Sequence, residues 1–187
     1  MHDYEAELKE YIPYNEQEKQ DIKVFLQYLI KFSDVYERKN IIGHITCSPW
    51  ITNKEKTKVL MVYHNIYKSW GWSGGHCDGD KDLISVALRE GLEETGLKKL
   101  KLVSDKILAI DVFPVPSHIK NQQFVSAHIH LNFTYLCSAD EKEELHSKPD
   151  ENSAVKWIPI EMIDEEVSEE AMKKVYHKLI EKSKLIN

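Results

Sequence analysis

The chain has no long hydrophobic run. Nothing in its 187 residues approaches the ~18 consecutive apolar positions of a membrane-spanning helix. It has no surplus of positive charge either. Its 25 lysines and arginines face 31 aspartates and glutamates, a net charge of −6, so neither a general nucleic-acid binder nor a polybasic membrane-surface protein is expected. Cysteine is scarce: Cys47, Cys77 and Cys137 are odd in number, widely spaced and form no Cys-x-x-Cys pair. A disulfide framework and a zinc ribbon are therefore not expected, and reduced thiols suit a cytoplasmic protein. The opening MHDYEAELKE is acidic and lacks the basic start and apolar stretch of a signal peptide. No internal repeat or low-complexity tract stands out. What is present is an ordinary globular composition, 42% hydrophobic and 30% charged, enough for one domain with a real core.

Patterning divides the chain near residue 40. Residues 1–40 read as helical. Asn15, with Glu18 three positions on, resembles a capping box, and Val24, Phe25, Tyr28, Leu29 and Phe32 form an amphipathic stripe behind it. From 41 onward, short apolar or alternating runs at 41–48, 58–63, 106–113, 123–137 and 154–158 are strand candidates. Helical windows at 82–95 and 168–184 are set among them, and the charged segment 138–152, with Pro149, is a loop. The expectation is a mixed α/β domain spanning 41–187, preceded by a helical N-terminal extension at 1–40.

The most informative stretch runs from Gly74-Gly75-His76 into a helix that Asp82 would cap and Gly96 would end. At about 100° per residue, Glu90, Glu93 and Glu94 fall on one side, and Ile84, Leu88, Gly91 and Thr95 on another arc expected to face a sheet. Three carboxylates in the last two turns repel one another by roughly 0.2–0.5 kcal/mol per pair and oppose the helix dipole. Arg89 offsets part of this by pairing with Glu93 at i+4. A hard divalent cation would neutralise the rest, because Mg²⁺ takes oxygen ligands from a few carboxylates and from phosphates. The plainer alternative is a solvated acidic face. Gly91 in mid-helix costs roughly 1 kcal/mol against alanine and suggests close packing on a neighbouring element.

Taken in register, Gly75, then Lys81, then Arg89-Glu90-Gly91-Leu92-Glu93-Glu94-Thr95-Gly96-Leu97 resembles the Nudix box. That box reads Gly, five residues, Glu, seven residues, then Arg-Glu-U-x-Glu-Glu-x-Gly-U, with U aliphatic. The resemblance implies an α/β/α sandwich around a mixed sheet and a Mg²⁺- or Mn²⁺-dependent hydrolase. Its substrate class would be a nucleoside diphosphate linked to another group X. Carried over by position, Glu90 and Glu94 would be metal ligands, and Glu93 a further ligand or the group that activates water. Arg89 would hold Glu93, and a carbonyl of the Gly74-Gly75 turn would complete the shell. Two positions depart from the box. Lys81 replaces its first glutamate, a role that Asp80 or Asp82 would have to take over, and Gly91 replaces an aliphatic residue. These departures leave open a nucleotide-binding sensor without catalysis. An isomerase of prenyl diphosphates using Cys77 or another thiol as acid also remains open.

Around this core, several residues are candidates for substrate contact. Val125 to Thr134 alternates strictly, placing His128, His130, Asn132 and Thr134 on a polar face suited to a pocket wall. Two histidines on one face also suggest a zinc site if His76 or His118 supplied a third ligand. Trp72 is a candidate for stacking on a base, and His76 for donating to a phosphate. Trp157 reads as core and Cys77 as a structural thiol. Glu143, Glu144, Asp150 and Glu151 read as solvated loop charge, and the resemblance implies that a carboxylate of this loop, here Glu151, can join the site. A homodimer contact is one role for the N-terminal helices, beside packing on the domain or covering its pocket.

Overall fold

The computed structural model describes residues 3–120 and 122–186. Two helices, α1 (Tyr4–Glu10) and α2 (Glu16–Lys31), precede the strands β1 (Gly43–Thr52), β2 (Lys58–His64), β3 (Trp70–Gly71) and β4 (Gly75–His76). Helix α3 (Leu83–Thr95) follows, then β5 (Lys101–Leu102), β6 (Ala109–Val115), β7 (His118–Lys120), β8 (Gln123–Val125), β9 (His128–Ser138) and β10 (Asn152–Pro159). A single 3₁₀ turn at Ile160–Met162 leads into α4 (Ile163–Glu166) and α5 (Glu170–Lys184).

The main sheet runs β10-β2-β1-β9-β5, with β3 on β2, β4 on β1 and β6 on β9, and β7-β8 form a separate hairpin. Its central pair, β1 and β9, is parallel from Gly43 opposite Ile129 to Thr52 opposite Ser138, while the other pairings are antiparallel. Alternation along the central strands separates two cores. On one face Ile45, Cys47, Leu131 and Phe133 meet Tyr4 and Leu8 of α1, Phe25 of α2, and Val86 and Ala87 of α3. On the other, Trp50, Met61 and Leu136 meet Ile163 of α4 and Tyr176, Leu179 and Ile180 of α5. The fold is a mixed sheet with helices on both sides.

The N-terminal helices are thus part of the same apolar core as the sheet. Asn15 caps α2, its side chain accepting the Glu18 amide at 2.9 Å. The Glu18 carboxylate, instead of returning to the cap residue, accepts the Tyr14 amide at 2.7 Å. It is fully buried and meets Lys178 at 3.3 Å and Lys182 at 3.1 Å, tying α2 to α5.

Two local expectations need correction. The alternation over 125–134 does not form one strand. The ladder with β6 ends where Val115 faces His128, and Ser126-Ala127 lies outside any strand. On α3, Gly91 and Thr95 are buried as expected and Ile84 and Leu88 pack partly buried against the core, but the fully packed arc centres on Leu83, Val86, Ala87, Gly91, Glu94 and Thr95. That arc carries Glu94 inward.

Candidate active site

The ends of α3 are fixed by local chemistry. Asp82 accepts the Ser85 amide at 3.1 Å and its hydroxyl at 2.7 Å. Gly96 ends the helix in the left-handed region, at φ 71°. Gly91 lets the helix lie hard against β1. A Cβ there would come within 2.7 Å of Leu100 Cδ2 and 3.0 Å of the Pro49 ring. This contact brings the last two turns of α3 under the Gly74-Gly75 turn, where each glycine admits a different neighbour. A Cβ on Gly75 would stand 2.3 Å from Glu90 Oε2, and one on Gly74 would stand 2.3 Å from Ser48 Oγ.

The three helix carboxylates are not equivalent. Glu93 is exposed, Glu90 is half-buried and Glu94 is 2% exposed. Glu94 Oε1 accepts the Gly74 amide at 3.0 Å, while its Oε2 is buried without a hydrogen-bond partner. Burial pushes the Glu94 carboxyl up to about 8, and the negative charges of Glu151 and Glu90 add to the shift. Glu90 is raised for the same first reason, with Glu93 and Glu151 adding to it against the pull of Arg89. Glu151 therefore belongs to this cluster, although it arrives from the loop before β10. Arg89 donates to Glu90 at 3.0 Å and to the His76 carbonyl at 3.3 Å, and reaches Glu93 only at 3.9 Å. Lys148 bridges Glu93 at 3.4 Å and Glu151 at 3.2 Å. Two cations thus face four carboxylates, and neither cation reaches the buried oxygen of Glu94.

A cavity of about 250 Å³ opens beside the glycine turn. Thr46, Ser48, Trp72, Gly74, Gly75, His76, Phe113, His130, Asn132 and Tyr176 contribute to its wall. Asn132 knits the floor together, its amide oxygen accepting from Thr46 and Ser48, each at 3.0 Å. Trp72 is held edge-on to Trp50, Phe113 and Tyr176. Of the four residues expected to touch substrate, His76, Trp72 and His130 line this cavity, and His128 stands beside His130, Nε2 to Nε2 at 3.2 Å. His44 joins them, with ring centroids 4.9 Å from His76, 5.1 Å from His128 and 5.0 Å from His130. Burial and the neighbouring imidazoles hold His130 down to about 3, and burial first of all keeps His44 below its ordinary value. His118 lies outside this group, its ring 6.4 Å from that of His128. Cys77 is away from the cavity, in the core with its sulfur 3.9 Å from that of Cys47.

A family model described as the NUDIX domain matches residues 44–179. The chain belongs to the Nudix hydrolase family. As a member it is an enzyme of the Nudix pyrophosphohydrolase type. A search of curated proteins gave no match. Among solved structures, the fold resembles the E. coli dihydroneopterin triphosphate pyrophosphohydrolase, with a TM-score of 0.56 at 13% identity over 73% of this chain and 94% of that one. A Nudix hydrolase from M. smegmatis gives a TM-score of 0.57 at 14% identity, covering 78% and 89%. The MutT protein from Methanosarcina mazei Go1 gives 0.57 at 15%, covering 76% and 96%. At these identities the likeness is one of fold.

Within the Nudix box, the departures have structural reasons. Lys81, in the place of the first glutamate, sits with its ammonium 5.7 Å from the centre of the Tyr36 ring. Of the adjacent acids, Asp82 caps the helix, and Asp80 accepts the Asp82 amide at 2.9 Å. Gly91 replaces an aliphatic residue because Pro49, Ile51 and Leu100 already fill its space. Sequence reasoning did not single out His44 or Lys148. Only the parallel register that sets His44 opposite His130 reveals the former, and no local pattern encodes it.

Proposed function

We propose that this Nudix enzyme hydrolyses a pyrophosphate bond in a nucleoside diphosphate linked to another group X, using Mg²⁺ or Mn²⁺ held between the end of α3 and the glycine turn. The observation that carries the reading is the buried, unpartnered Glu94 Oε2 beside the half-buried Glu90, both packed under Gly74-Gly75. A carboxylate oxygen in that position is costly unless something coordinates it. The oxygen-only donor set of Glu90, Glu94, Glu93 and the Gly75 carbonyl fits a hard divalent ion. When bound, such an ion neutralises phosphate charge and lowers the pKa of a water.

The chain's own groups do the rest. Glu90 and Glu94 are held by Arg89 and by the Gly74 amide, and so need no reorganisation to receive a ligand. Arg89 is a positioning residue, acting chiefly on Glu90. Glu93 is exposed yet tethered between Arg89 and Lys148, which suits a carboxylate that takes the proton of an attacking water at its Oε. The cavity wall formed by Trp72, His76, His130 and Asn132 receives the rest of the substrate, with Trp72 offering an aromatic surface and His76 standing next to the phosphate end. The three thiols are all buried and unpaired by disulfides, which supports a reducing, cytoplasmic setting.

The test is a screen of nucleoside diphosphate derivatives with Mg²⁺ and Mn²⁺, reading release of nucleotide monophosphate. Turnover should vanish in EDTA, and Glu93→Gln should lower kcat by about 10²–10⁴-fold while the fold is kept. Full activity in either case rejects this mechanism.

A further inference from the structure

We propose that His44, His76 and His130 form a binding site for a first-row transition-metal ion of the Zn²⁺ class, separate from the carboxylates of α3. Three strands bring these residues together. His44 on β1 lies directly opposite His130 on β9, and His76 on β4 faces Thr46, two residues along β1. One ligand atom from each imidazole lies within 4.8 Å of the other two.

The arrangement is ordered from outside. His44 is buried to 4% exposure, and its Nδ1 donates to the Asn40 carbonyl at 3.1 Å. That bond sets the tautomer and leaves the Nε2 lone pair, which is buried with no hydrogen-bond partner. An imidazole with one nitrogen on a backbone carbonyl and the other aimed at its neighbours is how metal-binding histidines are commonly oriented. His128 repeats the pattern, with Nδ1 on the Ser126 carbonyl at 2.9 Å and Nε2 toward His130. The 3.2 Å between His128 and His130 Nε2 is close to the ~3.3 Å edge of a tetrahedron whose metal–nitrogen bonds are about 2.0–2.1 Å. His128 nonetheless lies outside the set of three whose ligand atoms are mutually within 4.8 Å, so water is the fourth ligand. The nearby Arg38 guanidinium disfavours positive charge at His44 and His130, and its pairing with Asp78 at 2.6 and 2.7 Å offsets only part of this.

The donor chemistry separates the two sites. Imidazole nitrogens select Zn²⁺, Co²⁺, Ni²⁺ or Cu²⁺, whereas carboxylates and carbonyls select Mg²⁺ and Mn²⁺. The inference does not depend on the proposed hydrolysis, since binding is read directly.

The experiment is titration of the chelator-treated full chain with Zn²⁺ alone and with Co²⁺ alone. The expected results are one tight equivalent, the intense visible absorption of four-coordinate Co²⁺, and a nitrogen and oxygen shell at about 2.0 Å by X-ray absorption. His130→Asn and His44→Asn should each weaken Zn²⁺ by more than about 100-fold, beyond the loss expected of a mere outer partner. Circular dichroism reports the fold of each variant, and His76→Asn at the cavity wall supplies the same readout if His44→Asn does not fold. A Glu90→Gln, Glu94→Gln double variant should bind Zn²⁺ as the parent does. Absence of saturable Zn²⁺ binding overturns the proposal. So does a six-coordinate Co²⁺ spectrum, or Zn²⁺ binding that survives the histidine changes but fails in the glutamate double variant.

Discussion

Replacing Glu18 by alanine tests how the N-terminal helices are held. Its carboxylate is fully buried, accepts the Tyr14 amide at 2.7 Å, the Tyr11 hydroxyl at 2.9 Å and the Lys182 ammonium at 3.1 Å, and pairs with the Lys178 ammonium at 3.3 Å. Burial alone would raise its pKa, but the Tyr14 amide and the two lysines outweigh that and hold it below the ordinary value. The side chains of Lys178 and Lys182 are 3% and 13% exposed. After Glu18→Ala, Lys178 keeps Asp111 at 2.6 Å, whereas Lys182 loses the carboxylate it pairs with. Breaking a buried pair from one side costs about 3–5 kcal/mol. For a chain of this size that is a fall in Tm of roughly 6–20 °C. Urea unfolding with matched m-values measures it. Glu181→Ala is the control, since its pair with Lys184 is half-exposed and is worth at most ~1 kcal/mol. A loss below about 1 kcal/mol in Glu18→Ala would refute the view that this network fastens α2 to α5.

Two further outcomes follow from packing and burial. Gly91→Leu, which restores the aliphatic residue of the Nudix box, should lower stability by about 1–3 kcal/mol, because Pro49 and Leu100 occupy the space; a neutral result in urea unfolding would contradict this. His64 donates through Nε2 to the Trp72 carbonyl at 3.0 Å, and burial keeps its pKa below the ordinary 6.5. A depressed histidine contributes stability that is present above pH 6.5 and lost as the pH falls below it, so His64→Gln should flatten the acid side of the stability profile between pH 6.5 and its lower folded value. An unchanged profile would show that His64 titrates alike in both states.

Much of this was legible in the sequence where the signal is local. Asn15 caps α2, Asp82 caps α3 and Gly96 ends it, because capping chemistry acts within three residues. The strands at 58–64 and 152–159 follow from short apolar runs between turn residues. Long-range pairing was not legible. The parallel register of β1 on β9 assembles the histidines, and no pattern within either strand encodes it. The tilt of α3 was also hidden, since it depends on Pro49 and Leu100 meeting Gly91. That tilt makes Glu94 buried and Glu93 exposed, where helical periodicity alone treats the three carboxylates as one face. Glu151 and Lys148 come from a charged loop whose path is set by contacts such as Asn152 on the Glu94 carbonyl, at 3.1 Å.

The central claim is that the buried carboxylates at the end of α3 exist to bind a divalent cation, and Mn²⁺ titration tests it most directly. Electron paramagnetic resonance counts bound ions, and thermal unfolding in parallel reports the linked stability. At about 100 times its Kd the ion should stabilise the parent by ~2.7 kcal/mol, a rise in Tm of roughly 5–10 °C. Glu94→Gln should lose that shift while being about as stable as the parent without metal near neutral pH, because burial pushes the Glu94 carboxyl up to about 8 and a neutral amide of similar shape replaces a largely protonated acid. Equal Mn²⁺ binding and an equal Tm shift in the parent and in Glu94→Gln would contradict the account.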